Sequence, residues 1–275
     1  MTVVLITGTS SGIGLAAAIQ AARAGHQVVA TMRDTSRDGR LRAAADAAGV
    51  ELDVRALDVT DADSVNAAVA GVIDTYGRLD AVVNNAGAGH VGTVETDSVD
   101  DFRRVMEVNF FGVVALTKAA MPHLRAAGGR LVTVTSVGGV VGQPFNEAYC
   151  AAKFAVEGMM ESLAPVAAQQ GVTVTVVEPG AVASEFVANV GVDPEAAIAA
   201  AGPYGQTLRG YLARTGSSFA SAQSPDDAAA TVLRALTEPR PSFRLQTSEW
   251  AAKFTGVKLA DNDGAAVQRL TSEWI

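Results

Sequence analysis

The 275-residue sequence is poor in residues that several kinds of chemistry require: one cysteine, four lysines, three histidines and 5% aromatics. One Cys cannot close an internal disulfide, so no covalent framework holds the fold. His26, His90 and His123 stand at no metal-ligand spacing, and with a single Cys they offer no metal site. Four Lys are too few and too scattered for a polybasic membrane patch. The excess of 29 Asp and Glu over 21 Lys and Arg, a formal net charge of −8, argues against the basic stripe that a nucleic-acid partner requires. No window reaches ~18 uninterrupted apolar residues, so no membrane span is expected. Met1–Thr7 has no positive n-region and meets Gly8 before the roughly 7–15 apolar residues of a secretory signal accumulate. The expectation is a cytoplasmic protein in a reducing compartment.

What the sequence does have is apolar bulk, 49% hydrophobic residues, enough to bury a full core. Short β-branched runs alternate with longer Ala-rich stretches. Val3–Thr7, Gln27–Thr31, Leu52–Ala56, Ala81–Val83, Leu131–Thr135 and Val172–Val177 read as strands. Leu15–Ala24, Arg40–Ala48, Asp61–Tyr76, Ser98–Ala127 and Ala148–Gln170 read as helices, several closed by a glycine. This alternation predicts right-handed βαβ units. The fold class is α/β, a doubly wound parallel sheet of about seven strands with helices on both faces, in a single domain. After Pro179 the rhythm changes. Ser184–Gly216 predicts one or two helices in a loop-like setting, and Ser217–Ser224 a polar break. Ser224-Pro225 reads as the cap of a helix running to about Leu236, and Ser242–Thr247 as a seventh strand. Residues 184–222 are expected to form a helical insertion over the substrate, and 248–275 an irregular C-terminal tail.

The first strand–helix junction reads Thr7-Gly8-Thr9-Ser10-Ser11-Gly12-Ile13-Gly14. Its glycines allow a tight turn and a close approach of backbone to a pyrophosphate, and the helix behind aims its amides at the same charge. At the end of the second strand, where an acidic residue would take a ribose 2′-hydroxyl, stand Met32 and Arg33. A guanidinium there suits a 2′-phosphate, so NADP(H) is favoured over NAD(H); the competing reading is an arginine solvated beside Asp34. Tyr149 and Lys153, four apart at the start of a helix, share one face. A phenol titrates near ~10, and a neighbouring ammonium together with a positive nicotinamide ring would lower it toward neutrality. Ser136 ends the fifth strand and Asn109 interrupts a long helix, both on the edge where doubly wound sheets collect ligands.

Thr7–Gly14, Asn84-Asn85-Ala86-Gly87, Asn109, Ser136, Tyr149-Cys150-Ala151-Ala152-Lys153 and Pro179-Gly180 have the order and spacing of the short-chain dehydrogenase/reductases, and the chain resembles that family over residues 1 to about 190. Val29–Asp34, Ser136–Gly139 and Gly142–Asn146 are similar to the estradiol-type hydroxysteroid dehydrogenases and their retinol dehydrogenase relatives, a likeness that Phe243-Arg244 and Thr247-Ser248-Glu249 continue faintly. The resemblance implies an NADP-dependent oxidoreductase acting on a secondary alcohol or ketone. Tyr149 would be the general acid/base, Lys153 its activator and a holder of the nicotinamide ribose. Ser136 would bond the substrate oxygen, and Asn109 would hold a water that links Lys153 to solvent. Gly8, Ser10, Ser11, Gly12, Ile13 and Gly14 would surround the phosphates, with Ser11 and Arg33 near the 2′-phosphate. Asp58 and Val59 would contact adenine; Asn85, Ala86, Gly87, Pro179, Gly180, Val182 and Ser184 would line the nicotinamide side. Ser136, Val137, Gln143, Asn146 and Tyr149 would meet an apolar substrate of hydroxysteroid, retinoid or polyketide character. A homodimer or homotetramer built on the long helices is also implied.

Two departures matter. Ser184 stands where the family has Thr. Tyr211-Leu212-Ala213-Arg214 fills the stretch where the estradiol enzymes place a steroid-binding His, and no His follows His123. A catalytically silent, NADP(H)-sensing regulatory protein of the same fold is the alternative, and loss of the Tyr or the Lys would mark it; both are present. Other residues invite plainer readings. His90 is read as an exposed loop residue, Cys150 as a small buried hydrophobe. Asp100-Asp101 and Asp226-Asp227 are read as complements to helix dipoles. Phe145, Tyr204, Tyr211 and Phe219 are read as pocket lining or ordinary core.

Overall fold

The structure, a computed structural model, describes residues 1–184, 193–220 and 222–274. Seven strands, β1 (Val3–Thr7), β2 (Gln27–Met32), β3 (Asp53–Ala56), β4 (Ala81–Asn84), β5 (Arg130–Val134), β6 (Thr173–Glu178) and β7 (Arg244–Gln246), make one sheet in the order β3-β2-β1-β4-β5-β6-β7. Every pairing is parallel. The strand order reverses between β1 and β4, which opens a crevice at the carboxyl edge of the sheet.

Alternation along each strand feeds two cores. Val3, Leu5 and Val82 point to one face, where they meet α3 (Ala62–Tyr76), α5 (Gly112–Ala127) and α6 (Glu147–Ala168). Val4, Ile6 and Val83 point to the other, against α1 (Gly12–Arg23), α2 (Gly39–Ala48) and α9 (Pro225–Thr237). Burial on both faces is why the strands carry apolar residues at successive positions. Gly49 and Gly77 close α2 and α3 in the left-handed conformation, at φ 65° and 71°.

The long helix expected over Ser98–Ala127 is continuous but not uniform. α4 (Val99–Met106) opens on a Ser98–Asp101 capping box, passes through one π-helical turn at Glu107–Phe111, and continues as α5. By length and composition Val99–Ala127 is apolar enough to cross a membrane. It carries Leu116, Ala120 and Leu124 fully buried against the sheet, which accounts for its apolarity.

Two expectations are corrected. Residues 217–220 are not a break: α8 runs from Gly205 to Ala220, following α7 (Pro194–Ala200). Serines are poor helix formers rather than helix stops, and here the preceding turns carry them. The C-terminal stretch is not irregular either. It forms α10 (Glu249–Leu259), capped by the Ser248 hydroxyl, and α11 (Ala265–Ser272). They pack on Val137, Val140 and Val141 through Ala251, Phe254, Val267, Leu270 and Trp274, with Trp250 stacked on Phe254 (4.9 Å) and Phe254 on Trp274 (5.5 Å).

At the opposite edge Asp80 ties β1 to the start of β4. Its carboxylate accepts from the Val3 amide (2.7 Å) and from Arg78 Nε (2.9 Å). Burial alone would raise its pKa; the Arg78 and Val3 hydrogen bonds outweigh that and hold it below the usual range. Such a carboxylate stabilises the fold above its unfolded pKa and loses that contribution as pH falls through the folded one. Asp80→Asn is therefore expected to cost about 1 kcal/mol after solvent screening, or about 2–4 °C in melting temperature at pH 7. Melts taken down to pH 3 check it: the gap to the parent protein must close with acid.

Candidate active site

The crevice is built by hydrogen bonds across the switch point. Thr7 ends β1, and its Oγ1 accepts from the amides of Asn85 and Ala86, both at 3.0 Å. Asn85 Nδ2 donates back to the Thr7 and Gly8 carbonyls, at 2.8 and 3.1 Å. A Cβ at Gly14 would stand 2.3 Å from both Gly8 O and Asn85 Nδ2. Glycine at 14 is what lets α1 start directly behind this knot. Gly8 (φ 71°) and Gly12 (φ 58°) take conformations that L side chains avoid. Ser11 caps α1 without a side-chain bond to the helix, so the first-turn amides keep their capacity for an anion. Gly12 also abuts Ser184, 3.3 Å from a Cβ placed there. Ser10 and Ile13 fill the same turn, Ile13 leaning on the core.

The four catalytic candidates converge. Ser136 follows β5, and its Oγ accepts from the Gly138 amide (2.9 Å) and bonds the Tyr149 hydroxyl. Gly138 fits between them: a Cβ would lie 3.3 Å from Ser136 Oγ and 3.4 Å from the Tyr149 ring. Lys153 is 4% exposed, with Nζ 5.8 Å from the centroid of the Tyr149 ring, and donates to Val134 O at 3.2 Å. Gly87 brings in the fourth. A Cβ there would meet Asn109 Oδ1 at 2.9 Å and Lys153 Nζ at 3.6 Å. Asn109, fully buried, sits in the π-helical turn. Its Nδ2 donates to Ala88 O (2.9 Å) and Val105 O (3.0 Å), and its Oδ1 accepts from Ala88 N (3.2 Å). Both of its donors are spent on backbone, so the side chain pins the Gly87–Ala88 loop; only acceptor capacity is left for a water.

Burial changes the titration expected at this cluster. Tyr149 is pushed well above the ordinary phenol, burial outweighing the Ser136 hydrogen bond. The Lys153 ammonium bonds a carbonyl rather than the phenol oxygen, so the lowering foreseen from it does not prevail in the chain alone. Lys153 itself is lowered to about 8 by burial, opposed by Glu157. Cys150 is buried and raised to about 11, an inert packing residue as expected.

The remaining predicted residues line the same edge. Pro179 accepts from the Val137 amide (2.9 Å), and Gly180 lies under Trp250, whose ring is 3.1 Å from a Cβ placed there. Val182 bridges to Gln223. Arg33 is exposed beyond β2, and Asp34 accepts from the Ser36 amide and hydroxyl. Asp58 accepts from Thr60, and Val59 is buried against Gly112. Gln143 and Asn146 precede α6. Asn146 Nδ2 donates to the Tyr211 hydroxyl at 2.5 Å, and Tyr211 packs on Phe145 at 5.5 Å, inside a cluster with Ala201, Leu208 and partly buried Tyr204. The side chain of Phe219, residues 185–192 and residue 221 lie outside the described residues. His90 is corrected: it is not an exposed loop residue but pairs with Asp97 (2.8 Å) at 21% side-chain exposure, close packing that Gly92 permits. The acidic pairs do lie in first turns, those of α4 and α9. Among the described residues no group of His, Cys, Asp and Glu could hold a metal.

Sequence reading missed Thr7 as a structural acceptor, Trp250 over Gly180, and the Glu157 side chain behind Lys153. Glu157 was open to detection, since it follows Lys153 by one helical turn.

A model of the short chain dehydrogenase family matches residues 2–195. The chain belongs to that family. It is an oxidoreductase acting on CH–OH groups. Human retinol dehydrogenase 8 is 38% identical, covering 98% of this chain and 88% of its own length. Human 17-beta-hydroxysteroid dehydrogenase type 1 is 39% identical, covering 96% and 83%. A short-chain dehydrogenase from Streptomyces avermitilis superposes with TM-score 0.76 at 32% identity, covering 99% of this chain and 95% of its own. An alcohol dehydrogenase from Thermococcus sibiricus, complexed with 5-hydroxy-NADP, gives 0.72 at 27% identity, with coverage of 90% and 95%. The likeness to hydroxysteroid and retinol dehydrogenases foreseen from the motifs is borne out.

Proposed function

We propose that the protein uses NADP(H) to interconvert a secondary alcohol and a ketone on an apolar substrate of hydroxysteroid, retinoid or polyketide character. The observation that carries this reading is the convergence of four side chains, Ser136 and Tyr149 meeting at Gly138, Asn109 and Lys153 at Gly87, with Lys153 beside the Tyr149 ring. The residues fit a dinucleotide: glycines that clear the approach, an uncapped helix start, and the exposed Arg33 at the end of β2. Gly8–Gly14 would hold the pyrophosphate and Arg33 the 2′-phosphate. Asp58 and Val59 would stand by the adenine, and Asn85–Gly87, Pro179, Gly180, Val182 and Ser184 by the nicotinamide. That group, when bound, supplies or accepts the hydride.

The chain's own residues do the rest. Ser136 offers its hydroxyl to the substrate oxygen. Tyr149, held protonated by burial, donates its proton to a ketone oxygen as it becomes an alkoxide. Lys153 supplies positive charge beside the phenolate left behind, and Asn109 keeps the loop over Lys153 in place. Val137, Gln143 and Asn146 would face the substrate. The polar tip in the covering helices is Tyr211 rather than a histidine, and burial raises it to about 12, so it acts as a neutral hydrogen-bonding group. Phe111 and Phe154, 49% and 39% exposed on the long helices, suit a homodimer or homotetramer, which sedimentation tests.

A panel of ketones and alcohols assayed with NADPH and NADH side by side tests the function. Stoichiometric cofactor consumption with an apolar ketone is expected; binding without consumption would favour the sensing alternative. Arg33→Ala is expected to weaken NADPH by about 10–100-fold, the worth of one charge-assisted contact. NADH should be unaffected. Equal losses for both cofactors, or a parent preference for NADH, would remove the role given to Arg33.

A further inference from the structure

Behind Lys153, charged groups of α6, β6 and β7 form a network outside the catalytic cluster. Glu157 is 5% exposed and Glu178, the last residue of β6, not at all. Arg244 opens β7, from the Phe243-Arg244 pair that the mechanism leaves unused. Its Nε lies 3.3 Å from Glu157 Oε2 and 3.3 Å from Glu178 Oε1, and its Nη2 lies 2.5 Å from Glu161 Oε2. Gln246 Nε2 donates to the far oxygen of Glu178 at 2.8 Å.

The network touches the catalytic residues at two places. Thr135 Oγ1 stands 2.5 Å from Glu157 Oε1 and 3.1 Å from Val177 O, and Thr135 is the residue before Ser136. The hydroxyl has one proton, and an ionised Glu157 is the stronger acceptor for it. On the other side, a Cβ at Gly139 would lie 3.0 Å from Glu157 Cγ and 3.0 Å from Lys153 O. The turn that carries Ser136 is thus packed directly on the helical turn joining Lys153 to Glu157.

A buried ammonium needs a counter-charge, or the site loses several kcal/mol or the proton. Lys153 has a carbonyl, not a carboxylate, at hydrogen-bond distance. Resting on the catalytic role given above to Lys153, we propose that Glu157 and Arg244 are positioning residues. Ionised Glu157, held by Arg244, is the buried counter-charge that keeps the Lys153 ammonium in place, and through Thr135 it fixes the strand end that presents Ser136. The charged and titratable groups around the pair are few. Tyr149 and Glu161 share α6, Glu178 comes from β6, and Arg244 from β7. The α4 charges pair among themselves at the surface, Arg103 with Asp100 and Arg104 with Asp101. Burial raises the Glu157 carboxyl, and the Thr135 hydrogen bond and Arg244 oppose that by favouring its ionised form.

The test uses the free protein. The chain has four lysines, and Lys118, Lys253 and Lys258 are exposed. NMR of lysine-labelled protein therefore follows Lys153 as the resonance that titrates near 8. Glu157→Gln keeps the shape and removes the charge; it is expected to lower the Lys153 midpoint by about one unit or more. Arg244→Gln is expected to move it the same way, because Glu157 then takes up a proton, and Arg244→Lys to restore most of it. In turnover assays the alkaline limb should move by the same amount, with kcat falling more than KM rises. If Glu157→Gln does not fold, Arg244→Gln carries the test. A Lys153 midpoint unmoved in the folded variants overturns the proposal. This titration needs neither cofactor nor substrate, so its failure is distinguishable from failure of the dehydrogenase reading.

Discussion

Tyr149→Phe is expected to remove turnover, by about 10²–10⁴-fold, the contribution of a positioned general acid, while NADPH titrates as it does in the parent protein. Phe keeps the ring that packs beside Gly138 and loses only the hydroxyl bonded to Ser136. The fold should be untouched, so a melting temperature near the parent's is part of the prediction. Burial holds the phenol protonated well above the ordinary phenol range. It is therefore ready to donate, which suits ketone reduction at neutral pH. Alcohol oxidation needs the phenolate, and its rate should rise with pH across the range in which reduction is flat or falling. Turnover surviving in Tyr149→Phe, measured as NADPH consumption with the best ketone of the panel, would sink the assignment. So would an oxidation rate that falls as pH rises toward neutrality, below the range in which Lys153 loses its proton.

How far the sequence foretold this site depends on which kind of interaction made it. The two-faced strands were legible because burial on both sides writes itself as consecutive apolar residues in Val3–Ile6 and Ala81–Val83. Gly14 was legible as the last glycine of the Gly8–Gly14 turn, and its physical reason is that a Cβ there would stand 2.3 Å from Gly8 O. Ser136, Tyr149 and Lys153 were legible as a pattern of family resemblance, since spacing alone allowed many Tyr–Lys pairs. What spacing could not carry was partnership across the sheet. Nothing in the order of residues says that Arg244, on the last strand, reaches Glu157 in α6 and Glu178 in β6. The C-terminal helices were missed for a related reason. Each is short, and Phe254, Val267 and Trp274 find their apolar partners in Val137, Val140 and Val141, more than a hundred residues back, which no local pattern announces. His90 was misread because its partner Asp97 is made close by a glycine, Gly92, rather than by helical spacing. The π-helical turn at Asn109 has a legible symptom, a polar residue inside an apolar helix, but its cause is two donors committed to Ala88 and Val105.

Lys153→Met is expected to separate activity from stability. Catalysis should fall by a factor comparable to that of Tyr149→Phe, because the phenolate formed on proton donation then has no ammonium beside it. Stability should not fall with it. Lys153 is fully buried and its pKa is lowered to about 8 from 10.5. The unfolded chain thus binds this proton more tightly than the folded one, and the sign follows directly. At any pH below about 8 the lysine opposes folding by on the order of a few kcal/mol, and that opposition fades as pH rises from about 8 toward 10.5. Removing it lifts the opposition. The Glu157 carboxyl that loses its counter-charge is already raised to about 7 and can take up a proton rather than remain a bare buried charge. The inactive variant should consequently melt at or above the parent's temperature at pH 7, with the difference shrinking as both are titrated above pH 8. Calorimetry at several pH values reads this directly. A variant that is inactive because it is less stable at pH 7 would show that Lys153 is held for packing; one that is inactive and equally or more stable shows a charge kept in the core for catalysis, against the interest of the fold.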